Sequence, residues 1–223
     1  PLVAAGYMLL ASFLFALMGV AAKIAMRELP FTEVAGGRAA FGALFVLCTA
    51  WWQGQRLVVR DRRKQWARTV LGTSSMVCTF LTLSRLPVGD ATTLGNLMPL
   101  MLGLVSPWLL GERPSRGSWG AAWLGFAGVA LLAGAQAQYG GERLIGVLSG
   151  IGGAAFACFA MVQLRRLGPQ ESAGAVSLHF LGWAAVAFAV VSLPGRWLAH
   201  GGSWPSPTAG LALVVAGVAG GAA

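Results

Sequence analysis

Apolar residues in this chain come in long unbroken runs, separated by short punctuation rich in Pro and Gly. Crossing ~30 Å of hydrocarbon takes about 20 apolar residues at ~1.5 Å per residue. Seven runs reach that length: 3–22, 33–53, 66–86, 89–110, 119–136, 144–164 and 172–194. An eighth starts near Pro207 and still runs at Ala223, and the chain opens at Pro1 close to another, so both ends read as cut. The punctuation is Leu29-Pro30, Leu86-Pro87-Val88, Gly111 to Ser118, Gly140-Gly141 and Gly168-Pro169. Connections this short force each helix to run antiparallel to the one before it. The pattern predicts an all-α integral membrane protein with about eight helices in this chain.

The spacing of the runs repeats. With residue n laid on n+139 or n+140, Gly6 falls on Gly146, Phe15-Ala16-Leu17 on Ala155-Phe156-Ala157, and Pro30 on Pro169. The expected repeats are 1–137, with five helices, and 143–223, with about three. Five is odd, so the second repeat enters the membrane upside down. Inverted repeats are a signature of transporters, with the substrate site near the midplane between the halves.

Composition agrees. The chain is 57% hydrophobic and only 10% charged, with mean hydropathy +0.70, where a soluble domain carries about 25% charged residues. The net charge of +9 invites a nucleic-acid reading, but its placement argues against one. Arg56, Arg60, Arg62, Arg63, Lys64, Arg68, Arg113, Arg116, Arg165 and Arg166 lie after the second, fourth and sixth spans. Lys23, Arg27, Arg85, Arg143 and Arg196 lie after the odd ones. Basic loops stay inside, so the amino terminus is expected in the cytoplasm. The run Arg60-Asp61-Arg62-Arg63-Lys64 then reads as a topology determinant at anionic lipid. Cys48, Cys78 and Cys158 all fall inside apolar runs, without metal or disulfide spacing.

The segment 83–132 carries the most specific pattern. Leu83-Ser84-Arg85-Leu86-Pro87-Val88-Gly89-Asp90-Ala91 leads to Leu97-Met98-Pro99-Leu100 and Leu110-Gly111-Glu112-Arg113-Pro114, then Trp119-Gly120 and Gly125-Phe126-Ala127-Gly128-Val129. It resembles the end of the EamA domain of the drug/metabolite transporter superfamily. Arg38, early in the second span, resembles the family pattern too. The resemblance implies a ten-helix fold of two inverted five-helix repeats, one complete here and about three-fifths of a second. It also implies an exporter or exchanger of a small metabolite, amino-acid-like or drug-like, working by alternating access. The alternative class is a translocating subunit for a lipid or lipid-linked sugar, or a membrane subunit acting with a partner.

Two polar or small-residue stripes are candidates for the substrate path. On the third span Gly72, Ser75, Thr79 and Thr82 share a face, and on the fourth Thr92, Asn96, Pro99 and Gly103 do. Pro99 falls near the midplane and cannot donate to the Gly95 carbonyl, which leaves polar backbone beside the Asn96 amide. At that depth such backbone is tolerated only against protein or a water-filled cavity. Ordinary small-residue packing is the competing account, and it is the slightly better one for Ser75, Thr79 and Thr82. Phe13, Leu17, Phe156 and Phe159 are candidates for an apolar wall. Arg38 is a gating or structural candidate, and His179 a proton-relay or packing one.

All seven acids, Glu28, Glu33, Asp61, Asp90, Glu112, Glu142 and Glu171, fall at or near span ends. Asp90 is expected to face Arg85, and Glu112 to stop the fourth span beside Arg113. With no carboxylate at the midplane, carboxylate-driven proton antiport is not supported. His179 and His200 form no HExxH motif, so a membrane-embedded enzyme is disfavoured. No metal and no cofactor are implied, and with no P-loop the driving force is a gradient. Expected partners are a small-molecule substrate and membrane lipid, not nucleic acid. The Gly146–Gly150 GxxxG spacing permits close helix contact within the chain or in a homodimer. The Ala-, Gly- and Arg-rich composition suggests a bacterial inner membrane.

Overall fold

The computed structural model describes residues 2–54, 57–59, 61–109, 111, 115–138, 140–167, 171–200 and 206–222. The regular structure among them is all helical: α1 (Leu2–Ala25), α2 (Phe31–Trp52), α3 (Arg62–Arg85), α4 (Val88–Gly95), α5 (Leu97–Leu109), α6 (Arg116–Ala137), α7 (Gly141–Leu167), α8 (Ala173–His200) and α9 (Pro207–Ala222). Because α4 and α5 together make one 22-residue apolar stretch, these are the eight helices expected from the apolar runs. The loop residues Arg56, Arg60, Glu112, Arg113 and the Gly168-Pro169 turn lie outside the described residues.

Local chemistry sets the helix ends. Asp61 caps α3 by accepting from the Lys64 amide at 3.1 Å, and it pairs with the Lys64 ammonium at 3.0 Å. The amide and then the ammonium hold its carboxyl below the ordinary value. Leu86 ends α3 in extended conformation (φ −115°, ψ 157°), as the residue before Pro87 must. Ser206 caps α9, its Oγ accepting from the Ala209 amide at 3.3 Å. Glu28 in turn accepts from the Ser206 hydroxyl at 2.7 Å and the Ser206 amide at 3.3 Å.

Five stretches are long and apolar enough to cross a bilayer: Phe31–Trp52, Val88–Leu109, Trp119–Gln136, Gly141–Leu167 and Ala173–Ser192. Leu9–Ala25 and Pro207–Gly221 are apolar but shorter. The third expected span forms a 24-residue helix, yet its polar content keeps it out of that set. Its polar side is turned inward: Gln65, Thr69 and Thr82 are buried. A polar helix face at membrane depth is tolerated when protein covers it.

Two compact units emerge, one of residues 1–59 with 171–223, the other of residues 60–170. Each combines helices from before and after residue 140, so compact units and sequence repeats divide the chain at different places.

In the first unit α9 packs on both α1 and α2, and α2 also packs on α8. The contacts are made of alanine and glycine, with Ala22, Ala25, Ala35, Ala39, Ala184 and Ala216 wholly buried. A Cβ on Gly42 would come within 3.3 Å of the Gly217 carbonyl and of Leu181 Cδ1. Hydrocarbon solvent gives helices no hydrophobic reason to associate, so close backbone approach supplies the attraction.

In the second unit α7 is the central element, packed along α3 and against α4, α5 and α6. Leu86, Leu94, Leu97, Val129, Val147 and Ala154 form one buried cluster; Leu102, Cys158 and Val162 form another. The glycine motif of α7 faces this interior. A Cβ on Gly146 would stand 2.9 Å from Arg85 Cβ and Leu86 Cγ, and one on Gly150 2.7 Å from Leu94 Cδ1. The GxxxG spacing therefore serves contact within the chain.

Pro107, inside α5, has no N–H for the Gly103 carbonyl one turn back. The buried Ser106 hydroxyl donates to that carbonyl at 3.2 Å. Ser106→Ala is expected to destabilise the helix by about 1 kcal/mol, seen as earlier thermal unfolding in detergent with assembly unchanged.

Candidate functional site

The fourth span is broken at mid-depth. Asn96 interrupts it between α4 and α5 with φ −69° and ψ −5°, its amide donating to Thr92 O. Pro99, in the first turn of α5, needs no intrahelical donor there, which is where proline is tolerated. What it cannot do is continue α4, because the Gly95 carbonyl gets no partner from position 99. Asn96 is the ninth and Pro99 the twelfth residue of the 22-residue stretch Val88–Leu109, so the break sits at its middle. Thr92, Asn96 and Pro99 are all exposed, while Leu94 and Leu97 between them are buried against α7 and α6. One face of the broken helix thus anchors it and the opposite face presents the polar stripe. The Thr92 hydroxyl donates to the Gly89 carbonyl at 2.8 Å.

The stripe on α3 is turned differently. The Ser75 hydroxyl donates to Gly153 O on α7 at 2.9 Å. Thr79 faces the same glycine: a Cβ there would lie 3.4 Å from its Oγ1. The Thr82 hydroxyl donates to Cys78 O at 2.8 Å and lies 2.9 Å from the Ser149 hydroxyl. These hydroxyls lie along the α3–α7 contact, as polar side chains between membrane helices do. Phe156 and Phe159 sit on α7, 38% and 45% exposed, three residues apart on a face it leaves open.

At the far end of this unit lies a polar network that the sequence reading did not foresee. Gln136, buried at the end of α6, donates to Asp90 Oδ2 at 2.6 Å. It accepts at Oε1 from Arg143 Nη1 at 3.1 Å. Arg85 pairs with Glu142 and not, as expected, with Asp90. The network ties the ends of α3 and α6 to the starts of α4 and α7. The one signal for it was an amide ending a run otherwise apolar.

In the first unit Phe13 is 66% exposed on α1 and Leu17 39%. Arg38 is buried, and a Cβ on Gly220 of α9 would stand 2.7 Å from its Nε and Nη2. His179 is half-buried in α8, its ring 6.4 Å from that of Trp183 and tilted by 50°. Two cavities of about 240 Å³ lie along α2 and α8. Glu33, Gly37, Ala40 and Ala189 line one; Thr49, Gln53 and Ser177 line the other. His179 lines neither. Among the described residues no three His, Cys, Asp or Glu side chains gather as a metal ion requires.

Among the described residues the regular structure is helical and several helices are long and apolar enough to span a bilayer, as in a multi-pass membrane protein. The chain belongs to the EamA-like transporter family, whose model matches residues 2–134. It is 28% identical over 190 residues to the pseudopaline exporter CntI of Pseudomonas aeruginosa, in strains UCBPP-PA14 and PAO1. That match covers 84% of this chain and 64% of the relative, so the chain spans just under two thirds of the exporter. It is also 29% identical to an uncharacterized transporter of Helicobacter pylori strain J99, over 59% of this chain and 42% of that protein. A solved crystal structure matches with a TM-score of 0.68 at 22% identity, covering 97% of this chain and 77% of that one. At that identity the likeness speaks for the fold alone.

Proposed function

We propose that this chain belongs to a secondary transporter that exports or exchanges a small metabolite by alternating access. The family and the named exporter among its relatives support that class. The observation that carries the reading is the break at Asn96 and Pro99, at mid-depth, with its polar face unpacked. Broken helices at the midplane offer backbone and side-chain polar groups to a substrate without leaving them in lipid. Thr92, Asn96 and Pro99 form the polar wall in this reading, and Phe156 and Phe159 on α7 contribute apolar surface. Ser75 and Thr79 hold α3 to α7 behind that wall, and Arg38 steadies α2 against α9. His179 remains the candidate for a proton relay. The membrane is a bacterial inner membrane, and the amino terminus faces the cytoplasm, from the basic residues after the second, fourth and sixth spans.

The test is efflux from cells expressing the intact gene, against cells expressing none. Pseudopaline is the first cargo to load, followed by a panel of amino acids and amphipathic dyes. The expected result is saturable export of at least one, lost when the membrane gradients are collapsed. Equal retention of every cargo by both strains would refute the proposal.

A further inference from the structure

The polar face of the broken span is one-sided in the hydrogen bonds it can offer a ligand. Thr92, Thr93 and Asn96 are all exposed, and at about 100° per residue they fall in one sector of α4 about 100° wide. The Thr92 hydroxyl donates to the Gly89 carbonyl at 2.8 Å, and the Thr93 hydroxyl donates to the same carbonyl at 2.9 Å. A carbonyl oxygen only accepts, so both hydroxyls are the donors. Each proton is thereby turned back along the helix, and each oxygen turns lone pairs outward. Both oxygens lie within 2.9 Å of one carbonyl oxygen, close enough for a single cationic donor to bridge them with bonds of ordinary length. At the break itself the exposed Gly95 carbonyl gets no amide from Pro99 and adds a further acceptor. The Asn96 side chain can turn either its oxygen or its nitrogen to a ligand.

Charge does not offset this bias. No residue of the wall is charged, and the guanidinium groups near the start of α4 are engaged elsewhere, Arg85 by Glu142 and Arg143 by Gln136. Asp90 falls in the other sector of α4, with the buried Leu94, where Gln136 donates to it. An ammonium group has three donors and no acceptor, and a carboxylate has acceptors only. Against this wall a carboxylate would set lone pairs on lone pairs, and in a path poor in water an unmet acceptor is costly. We propose that the wall binds a protonated primary amine of the cargo, bridged by Thr92 Oγ1 and Thr93 Oγ1, and so selects ammonium-bearing metabolites over carboxylates of the same shape. This selectivity rests on the break being part of the substrate path.

Uptake into inverted membrane vesicles from cells expressing the intact gene tests this, with vesicles lacking the protein as background. The probes share a body and differ in the end group: phenylethylamine, phenylethanol and phenylpropionate in one series, glucosamine, glucose and glucuronate in another. In at least one series the amine should enter at least about tenfold faster than the carboxylate, since one hydrogen bond to a charged group is on the order of tenfold. The T92V/T93V variant keeps the shape and removes both oxygens, and it should lose most of that preference. The T92S/T93S variant keeps the oxygens and should keep the preference. Where the double valine variant does not assemble, T93V alone should lose part of it. A carboxylate entering as fast as its amine, or an unchanged preference in assembled T92V/T93V, would overturn the amine site while leaving the transporter reading in place. Uptake of neither amine would overturn it too, and efflux of the wider cargo panel then decides separately whether the chain transports.

Discussion

Asn96→Leu is expected to abolish export while leaving expression and assembly intact. The residue is exposed at the end of α4, so leucine fits without moving a neighbour, and it favours helix more than asparagine does. What disappears is the one side-chain amide beside the Pro99 break. In a water-excluded path, losing a polar partner costs about 1–3 kcal/mol, on the order of tenfold to a hundredfold in rate. Asn96→Gln, which keeps the amide on a longer stem, should retain part of the flux. Pro99→Ala separates the break from the side chain, because alanine at position 99 can donate to the Gly95 carbonyl and heal the helix. Because proline is already tolerated in the first turn of α5, this variant is expected to export less without any large change in melting. Efflux rates at matched protein levels, with melting curves in detergent, decide the matter. Parent-level flux in Asn96→Leu would remove the residue from the path, and the break would then be a packing feature.

Those two residues were legible in the sequence because their signal is local. A proline at mid-span removes one backbone donor wherever the helix packs, so the break follows from position alone. The number of helices was legible for the same reason, since run length against bilayer thickness needs no tertiary information. Orientation of a stripe is another matter. Ser75, Thr79 and Thr82 have the same spacing whether they face a cavity or a neighbouring helix. What decides is Gly153 and Ser149, more than sixty residues away in sequence, and no periodicity reports that. The same limit hid Gln136, whose partners Asp90 and Arg143 lie on two other helices. Arg85 and Asp90 are near in sequence, which made their pairing a natural expectation, but the start of α7 brings Glu142 to Arg85 instead. The GxxxG spacing of α7 was readable, and which helix fills it was not. In a chain with 32 glycines, only packing shows which of them matter.

Gly217→Val is expected to separate α9 from α2 and to give the largest loss of stability among glycine substitutions in the first unit. A Cβ on Gly217 would collide with Phe41 Cβ and would stand 3.2 Å from both the Arg38 carbonyl oxygen and the Gly42 amide nitrogen. Two of those three neighbours are backbone, so no rotamer change relieves the contact. Gly221, one turn on, meets the Gly42 carbonyl at 3.2 Å by the same measure, so the pair forms a seam where the helices touch backbone to backbone. Valine there forces the helices apart along the seam, and the dispersion contacts that join them weaken with distance. Overpacking a well-filled interior costs about 1–3 kcal/mol, and occasionally more when backbone must move; this site belongs at the upper end. Gly210→Val is the control, because the helix and the substitution are the same and a Cβ there would meet nothing within 4 Å. Thermal unfolding followed by size-exclusion chromatography should show the Gly217 variant aggregating well below the parent and the Gly210 variant melting with it. Equal losses in both would mean that α9 tolerates no β-branched residue at all. Parent-like melting of Gly217→Val would mean that α2 and α9 do not approach this closely in the membrane. The early melt in Gly217→Val alone is the outcome that assigns the loss to the seam.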